Sequence, residues 1–470
     1  MKRLLAFFSL TLLAAAASAK DRQPAPPAAF DPATVDAYIS NIVQAKGIVG
    51  LSVAVARQGA APWAGTYGES SLAAATPVSA NTVFAIGSVT KQFTAACIFL
   101  LAQEGKLSVQ DKVAKYYPNL TRAQDITLLD LMNHVSGYPD YYPLDFVDRR
   151  METPIAPDDL IQRYAGEKLD FEPGTEWSYS NTGYVILGRV VEKVSGQRLG
   201  DFMTRRILQP LGMDHSFFGP PVPGSSMAAG YTRFALGPQT LARPEAQGWL
   251  DGAAGLHCTA LDLVKWDMGL IDGRLLNAES YALMTQPRKL AEGRVREYGC
   301  GIGVKIISHT LVLTHEGAVS GFQAWNVLVP ATHSALVILS NCEEWDAVDG
   351  LKAVLANLIM PDPPWIPTIA RPDAGQAAMD FLRSLQAGRI DRGRLGEEFS
   401  RFLGEDKVRE ASVRLKKLSA PVRAEIQNRA ERGGMEVANV LLVCKKGTLS
   451  ALIYRTPDGT IQECLFQPGP

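Results

Sequence analysis

A cluster of prolines near residue 365 separates two segments that we expect to fold as separate domains. The run Pro361–Pro364 contains three prolines, and two more follow before residue 373. Proline fixes φ and lacks a backbone N–H, so a cluster of this kind forms a stiff linker rather than a helix or an inner strand. We therefore predict a large domain over residues 30–360, a linker over 361–372 and a small domain over 373–470.

The large segment has strand-like runs at both ends and a helical middle. The strand-like runs are Val49–Ala56, Trp63–Tyr67, Tyr298–Ile307, Thr310–Thr314, Ala324–Val329 and Ala335–Leu339. The stretch from Ser88 to about Pro210 is mostly helical in its periodicity. We predict an α+β sheet domain with a helical insertion. In the small segment, short helices over 373–418 and an antiparallel meander over 422–467 predict a second, small α+β domain.

The N-terminus has charged, apolar and small residues in the order that is typical of a secretory signal peptide. Lys2 and Arg3 precede an apolar stretch, Leu4–Ala17, and the small residues Ala17-Ser18-Ala19 follow. This order predicts a signal peptide over residues 1–19 and a mature protein in the periplasm or outside the cell. The apolar stretch is short for a membrane span of roughly 20 residues, although a retained N-terminal anchor is the alternative. We expect no membrane span after removal of the signal peptide.

Composition and charge exclude several classes of function. The formal net charge is -1, and the chain has no basic run interleaved with aromatic residues and no glycine-rich phosphate loop. We therefore expect no nucleic-acid partner. The six cysteines form no C-x-x-C pair, so the pattern disfavours a zinc site or a dense disulfide framework and leaves open whether Cys444 and Cys464 form a bridge. We expect no metal and no organic cofactor.

Ser88-Val89-Thr90-Lys91 is a candidate nucleophile with its base. The motif precedes the apolar helical run Phe93–Leu101. Positions i and i+3 share a helix face, so the Lys91 amine can reach the Ser88 hydroxyl. A buried lysine at a helix N-terminus loses its proton more readily, which allows the amine to activate the serine. A surface helix start is the alternative interpretation of this pattern alone.

Two further motifs follow in the chain. Tyr179-Ser180-Asn181 offers a hydroxyl for proton transfer and an amide to orient the lysine and a substrate carbonyl. His315-Glu316-Gly317 lies at the edge of a strand pattern, where backbone N–H groups can stabilise an oxyanion. Each motif alone is also compatible with a structural tyrosine or histidine.

Together the three motifs resemble those of the penicillin-recognising serine hydrolases, in the class C β-lactamase-like branch. The likeness extends to the flanking segments Phe84–Lys91, Leu129–Gly137, Phe171–Gly188, Pro210–Met213, Gly255–Trp266 and His315–Phe322. It implies a β-lactamase/transpeptidase-like antiparallel sheet flanked by helices. It also implies that Ser88 is acylated and that Lys91 and Tyr179 handle protons. Asn181 would position the substrate, His315 and Gly317 would line the pocket wall, and the Ala318 N–H would complete the oxyanion hole.

The motif that usually carries a lysine has a histidine here. His315 is only partly charged near neutral pH, and Glu316 adds negative charge beside it. Similar proteins with histidine at this place include DD-peptidases, D-aminopeptidases and esterases. By the same likeness, His134 and His257 are packing or hydrogen-bonding residues of structural turns.

We therefore predict an exported serine hydrolase that acts through a Ser88 acyl-enzyme on an ester, amide or D-amino-acid peptide bond. Its substrate would be a small molecule or a peptide, including peptidoglycan fragments. A β-lactamase is the alternative within the same enzyme class. A non-catalytic sensor of peptidoglycan or another ligand is the alternative from a different class, and a third hypothesis places the main function in the C-terminal domain.

Overall fold

The computed structural model describes most of the chain. The described residues are 27, 30–144, 147–221, 226–233, 237–307, 310–360, 367, 369–370 and 372–469, without the side chains of 345 and 346. The predicted signal peptide and most of the predicted linker lie outside the described residues. The chain divides into two compact units, Met1–Met360 and Pro361–Pro470. Each unit has its own apolar core.

The larger unit is built on one seven-stranded antiparallel sheet. In chain order its strands are β1 Gly50–Ala56, β2 Trp63–Ser71, β3 Thr76–Pro77, β4 Gly303–Ile307, β5 Thr310–Val319, β6 Phe322–Val329 and β7 Ser334–Ser340. The spatial order is β4-β5-β6-β7-β1-β2-β3. Strands from the N-terminal and C-terminal parts of this unit pair at the centre of the sheet, where Val53 of β1 lies opposite Ile338 of β7.

Five longer helices and several short ones surround this sheet. The longer helices are α1 Pro32–Lys46, α2 Thr90–Gln103, α3 Asn181–Ser195, α4 Ala260–Ile271 and α5 Trp345–Asn357. Short α-helices span Leu128–Met132, Pro157–Ala165, Leu199–Met203, Gln209–Leu211, Asp251–Ala254 and Ala278–Met284. Thr204–Leu208 is a π-helix, and Gly87–Val89, Val113–Lys115 and Pro330–Thr332 are 3-10 helices.

The sheet separates two apolar cores. Side chains alternate across a strand, so Val53 and Val55 of β1 face one side while Ala54 faces the other. Helices α1 and α5 cover the first side. Helices α2 and α4 and the helical middle of the chain cover the second side. A sheet buried on both faces is consistent with the continuous apolar runs of β1 and β7.

Short strand pairs complete the larger unit. A three-stranded sheet joins Phe84–Ala85, Leu256–Cys258 and Phe217–Phe218, and two-stranded pairs join Tyr231–Thr232 with Thr240–Leu241 and Arg288–Lys289 with Val295–Arg296. The predicted strand over Tyr298–Ile307 is wrong in its first half, because β4 begins only at Gly303. Gly301 has a φ of +75°, and a Cβ at Gly299 would lie 2.1 Å from the Met284 carbonyl oxygen, so this part forms a tight turn.

The smaller unit packs helices on one face of a four-stranded antiparallel meander. Its α-helices span Ala374–Ala387, Glu397–Phe402 and Glu405–Leu415, and its 3-10 helices span Arg392–Arg394 and Lys416–Leu418. Its strands are Pro421–Arg432, Met435–Cys444, Gly447–Arg455 and Ile461–Pro468, paired in that order. The predicted α+β fold is confirmed.

The structure answers the question that the sequence left open about Cys444 and Cys464. All six cysteines are free and buried, so Cys444 and Cys464 form no bridge. In the smaller unit Cys464 lies opposite Ile453 and Cys444 opposite Gly447, which keeps the two apart along the sheet. Among the described residues, no helix combines the length and the apolar character needed to cross a bilayer.

Candidate active site

Ser88 lies on a tight 3-10 turn between a short strand and helix α2. The turn spans Gly87–Val89, and α2 begins at the next residue. Gly87 has a φ of +51°, a conformation that side chains other than glycine rarely adopt. The turn and the first helical turn bring Lys91 back toward the serine, and Lys91 Nζ lies 3.0 Å from Ser88 Oγ. Ser88 itself is partly exposed.

The Lys91 side chain is fully buried and has three polar neighbours. Besides Ser88 Oγ, its Nζ lies 2.7 Å from Asn181 Oδ1 and 2.9 Å from the Ala253 carbonyl oxygen. Burial lowers the pKa of Lys91 to about 7, and the nearby carboxylate of Asp140 partly opposes this by raising it. Removing an ammonium from water disfavours its charged form, so a neutral amine becomes accessible near pH 7.

Asn181 is oriented by a carboxylate that the sequence interpretation did not single out. Asp140 Oδ1 accepts a hydrogen bond from Asn181 N at 3.0 Å, and Asp140 Oδ2 accepts one from Asn181 Nδ2 at 3.2 Å. With Nδ2 held in this way, Oδ1 faces Lys91. Burial raises the pKa of Asp140, and the hydrogen bonds and the Lys91 charge oppose that rise.

Tyr179 lies against Lys91 as a half-buried phenol. Lys91 Nζ is 4.8 Å from the centre of the Tyr179 ring. Burial raises the pKa of Tyr179 above its ordinary value, and a hydrogen bond with Ser88 opposes this rise. The phenol therefore keeps its proton at neutral pH. A protonated hydroxyl in this place can donate to a leaving group.

The free edge of β5 lies against the Ser88 turn. β4 pairs with β5 only as far as Thr314, so residues 315–319 are paired on the β6 side alone. A Cβ at Gly317 would lie 2.0 Å from the Ile86 carbonyl oxygen and 3.1 Å from Ser88 N. A Cβ at Gly87 would lie 2.6 Å from Ala318 N. The two backbones thus touch, which places the Ser88 and Ala318 amides beside each other.

A cleft of about 370 Å³ opens in front of Ser88. Of the predicted site residues, its lining includes Ser88, Tyr179, Asn181, Gly317 and Ala318. Three carboxylates also line it, those of Asp140, Glu316 and Glu343, and none of the described residues in the lining is Lys or Arg. The charged side chains of the lining are therefore all acidic, and one of them, Glu316, forms an ion pair with Lys352 of helix α5.

His315 does not line this cleft, which corrects its predicted place in the pocket wall. Its side chain is 7% exposed, and its ring belongs to a chain of hydrogen bonds behind the wall. His315 Nε2 lies 2.9 Å from the Tyr298 hydroxyl, and that hydroxyl lies 3.3 Å from His134 Nε2. His134 Nδ1 accepts a hydrogen bond from Ser180 N at 3.1 Å.

This series of hydrogen bonds determines which ring nitrogen of each neutral histidine carries the proton. His134 Nδ1 is an acceptor, so its proton is on Nε2 and is donated to Tyr298. The Tyr298 hydroxyl in turn donates to His315 Nε2. His315 Nδ1 then carries the proton and donates to the Glu316 carbonyl oxygen at 2.6 Å. Burial and the Lys91 charge lower the pKa of His315 to about 3.

Three residues of this site were missed or underrated by the sequence interpretation. Asp140 is a single carboxylate in a loop, and no spacing in the sequence relates it to Asn181. Tyr298 lies in a segment predicted as a strand, so no functional role was assigned to it. His134 was interpreted as a packing or hydrogen-bonding residue. It is the first side-chain donor in the series of hydrogen bonds that ends at the backbone of β5.

The site consists of amino-acid side chains and backbone amides. Among the described residues, no cluster of His, Cys, Asp or Glu has the arrangement needed to hold a metal ion. The groups present are a serine, a buried amine, a phenol, an amide and two adjacent backbone N–H groups. These are the components of acyl transfer to a serine.

Sequence relatives include penicillin-binding proteins. Penicillin-binding protein 4* of Bacillus subtilis (strain 168) is 29% identical over 295 residues, which are 59% of this chain and 65% of that protein. The putative penicillin-binding protein PbpX of the same strain is 30% identical over 267 residues, 56% of this chain and 63% of that protein. The chain thus spans less than two thirds of the length of these curated relatives.

Solved structures share the fold. D-amino acid amidase from Ochrobactrum anthropi SV3, complexed with L-phenylalanine amide, is similar with a TM-score of 0.59 and 24% identity over 69% of this chain and 97% of that chain. The octameric penicillin-binding protein homologue from Pyrococcus abyssi has a TM-score of 0.62 and 20% identity over 93% of this chain and 100% of that chain. At these identities the likeness concerns the fold alone.

The family model described as Beta-lactamase matches residues 35–359, more than half of the chain. This match covers the Ser88 turn, the Tyr179–Asn181 segment and β5. It confirms the predicted resemblance and the predicted enzyme class. The chain belongs to the β-lactamase family of serine hydrolases.

Proposed function

We propose that this protein is an exported serine hydrolase that cleaves an ester, amide or D-amino-acid peptide bond through an acyl-enzyme on Ser88. The observation that carries the proposal is the environment of Lys91 Nζ, which has two obligate acceptors and one hydroxyl as neighbours. Asn181 Oδ1 lies at 2.7 Å, the Ala253 carbonyl oxygen at 2.9 Å and Ser88 Oγ at 3.0 Å.

This environment directs the lone pair of a neutral Lys91 amine. Its two protons are donated to Asn181 Oδ1 and the Ala253 carbonyl oxygen, since neither can donate in return. The lone pair is then left for the proton of the Ser88 hydroxyl. Because the pKa of Lys91 lies near 7, the amine can accept this proton near neutral pH and release it later.

The reaction proceeds in two steps with balanced proton transfers. Ser88 Oγ bonds to the carbonyl carbon while its proton passes to Lys91, and the carbonyl oxygen is held by the Ser88 and Ala318 N–H groups. The bond to the leaving group breaks, and the leaving group takes a proton from the pair formed by Lys91 and Tyr179. Water then attacks the acyl group, gives its proton to the same pair, and Ser88 recovers its hydroxyl proton.

The charges around the cleft support substrates that are uncharged or carry an amino group. Asp140, Glu316 and Glu343 line the cleft, Lys352 pairs with Glu316 alone, and the neutral His315 adds no positive charge. An anionic carboxylate, as in a penicillin, is disfavoured in such a cleft. A D-amino acid amide or a peptide with a free amino group fits this charge pattern, and a structural neighbour is named D-amino acid amidase.

The cell compartment and the smaller unit complete the proposal. The charge, apolar stretch and small residues of the N-terminus support export to the periplasm or the medium. Peptidoglycan fragments are then within reach of the enzyme as substrates. The catalytic groups named above all belong to the larger unit, so we place the hydrolase activity in that unit.

Hydrolysis assays on three substrates test this proposal. We expect the mature protein to hydrolyse p-nitrophenyl acetate and D-phenylalanine p-nitroanilide, and to hydrolyse benzylpenicillin at least about tenfold less efficiently. Ser88→Ala should lower kcat/KM for every substrate by at least about a thousandfold. Asp214→Asn, an exposed change outside the site, serves as a preparation control. Hydrolysis that persists in Ser88→Ala would overturn the nucleophile, and a preference for benzylpenicillin would overturn the substrate class.

A further inference from the structure

The part of β5 that carries the Ala318 N–H is paired with a neighbouring strand on one edge alone. β4 pairs with β5 only as far as Thr314, so residues 315–319, the β5 end, are paired with β6 alone. The close contact between Gly317 and the Ser88 turn stops the β5 end from approaching the turn, but it does not stop the β5 end from moving away. A fixed distance between the Ala318 N–H and Ser88 therefore requires a further attachment.

The His315 side chain makes this attachment to Tyr298. The Tyr298 hydroxyl donates to His315 Nε2 at 2.9 Å, and His315 Nδ1 donates to the Glu316 carbonyl oxygen at 2.6 Å. Because both ring nitrogens are engaged, the imidazole holds the backbone of the β5 end to the hydroxyl. Tyr298 is itself fixed, since Arg288 N donates to its carbonyl oxygen at 3.1 Å and a β-bridge pairs it with Gly303.

On its other side, the same hydroxyl contacts the histidine that holds the segment around Tyr179. His134 Nε2 donates to the Tyr298 hydroxyl at 3.3 Å. The His134 carbonyl oxygen accepts from Ser178 N, and His134 Nδ1 accepts from Ser180 N, both at 3.1 Å. The centres of the His134 and Tyr179 rings are 4.3 Å apart, so the two rings pack directly against each other. His134 thus holds both the backbone and the phenol of this segment.

The Tyr298 hydroxyl therefore joins two parts of the site that come from distant parts of the sequence. One is the β5 end with the Ala318 N–H, which we place at the carbonyl oxygen of the substrate. The other holds Tyr179, which we place beside the leaving group. If the two parts moved away from each other, the N–H of His134 or the acceptor nitrogen of His315 would lose its partner, and an unpaired polar group is costly away from water. Tyr298 does not line the cleft, so it acts through the two histidines.

We propose that Tyr298 is a positioning residue for acyl transfer, and that its hydroxyl sets the distance between the Ala318 N–H and the Tyr179 phenol across the scissile bond. This inference rests on the proposed function, because it takes Ser88 as the nucleophile and these two groups as its partners. It adds a residue behind the cleft on which the rate of the chemical steps depends, whereas binding of the intact substrate does not depend on it.

Tyr298→Phe removes only the hydroxyl and tests the inference by kinetics. We expect kcat for p-nitrophenyl acetate to fall at least about tenfold while KM stays within about threefold, since the oxyanion and the leaving group are bound more strongly in the transition state than in the ground state. Phenylboronic acid forms a tetrahedral adduct when Ser88 Oγ adds to boron and its proton passes to Lys91. This analogue of the transition state should inhibit the variant at least about tenfold more weakly.

Tyr116→Phe is the matched control. The Tyr116 hydroxyl donates to Asp111 Oδ2 at 2.7 Å, and neither residue lines the cleft. This variant thus also loses a hydroxyl that makes a hydrogen bond, but it leaves the attachment between His134 and His315 in place. We expect wild-type kcat and wild-type inhibition by phenylboronic acid.

A double-mutant cycle tests whether Tyr298 acts through His315. His315→Asn keeps a donor near the place of Nδ1 and removes the Nε2 acceptor, so it breaks the same attachment. The loss of kcat in the double variant should stay within about threefold of the larger single loss, because one attachment cannot be lost twice. Losses that multiply would overturn the inference. If Tyr298→Phe does not fold, His315→Asn decides by the same measurements of kcat and inhibition.

The remaining outcomes separate this inference from the proposed function. A smaller effect of Tyr298→Phe on kcat or on inhibition, in a folded variant of an active enzyme, would overturn the role of Tyr298 alone. A loss confined to KM would also overturn it, because the hydroxyl would then serve substrate binding. Absence of both ester hydrolysis and a fluorophosphonate adduct in the wild-type protein would overturn the proposed function itself.

Discussion

The carboxylate of Asp140 accepts two hydrogen bonds from Asn181, one from its backbone N at 3.0 Å and one from its Nδ2 at 3.2 Å. This pair fixes the direction of the Asn181 amide, whose Oδ1 accepts from Lys91. A loop residue thereby determines the orientation of the candidate base. Asp140 is a positioning residue, because it acts on Lys91 through Asn181 and through its charge.

Asp140→Asn should change the pH dependence of hydrolysis. The Asp140 charge raises the pKa of Lys91, so its removal lowers that pKa further. Activity needs the neutral amine and rises with pH through the Lys91 pKa, so the acid limb of kcat/KM should move to lower pH. The maximal kcat/KM should fall at least about tenfold, because the new amide competes with the orientation of Asn181.

The pH profile of kcat/KM for p-nitrophenyl acetate measures this effect. Asp214→Asn, on the exposed surface, should leave the acid limb of the kcat/KM profile at the wild-type pH. An acid limb that stays in place or moves to higher pH in Asp140→Asn would contradict the role of Asp140.

His315 and His134 should stay neutral from pH 5 to pH 8. Burial lowers the pKa of both rings, to about 3 for His315. The hydrogen bonds through Tyr298 place the proton on Nδ1 in His315 and on Nε2 in His134. Long-range ¹H–¹⁵N NMR spectra of histidine-labelled protein distinguish these tautomers. A His315 resonance that titrates within this range, or that shows a proton on Nε2, would contradict the direction of the hydrogen bonds from His134 through Tyr298 to His315.

Gly317→Ala should remove most of the activity without unfolding the protein. A Cβ at this position would lie 2.0 Å from the Ile86 carbonyl oxygen, so β5 must move away from the Ser88 turn. A displacement of about 1 Å in a catalytic site can cost about a hundredfold in rate, and we expect kcat/KM to fall by at least that factor.

Gly350→Ala is the matched control, because a Cβ there meets no atom within 4 Å and the residue lies in helix α5. Circular dichroism and ester hydrolysis compare the two variants. Wild-type activity in Gly317→Ala would show that the close contact between β5 and the Ser88 turn is not required.

Much of the scaffold could be predicted from the sequence because local patterns agree with it. The apolar runs of β1, β6 and β7 predict buried strands, and each is buried along its whole length. The second half of β5 was not predicted. His315-Glu316-Gly317 has little strand propensity of its own, and pairing with β6 makes it extended. Tertiary pairing thus overrides the local preference where the strand reaches the site.

The motifs predicted Ser88, Lys91, Tyr179 and Asn181, but not the residues that orient them. The distance between Ser88 and Lys91 follows from helix geometry, and the structure brings Asn181 to the same amine. Asp140 is brought to Asn181 by a loop whose path has no periodic pattern in the sequence. Sequence spacing therefore predicted groups that share one helix, whereas groups from separate loops required the structure.

Intact-mass spectrometry of the mature protein after exposure to a fluorophosphonate tests the central claim most directly. The wild-type protein should gain one stoichiometric adduct, since an activated serine attacks the phosphorus and displaces fluoride. Ser180→Ala should keep the adduct, because the Ser180 hydroxyl is buried without a hydrogen-bond partner among the described residues. Ser88→Ala should lose it. An unmodified wild-type protein, or an adduct that persists in Ser88→Ala, would contradict the assignment of Ser88 as the nucleophile.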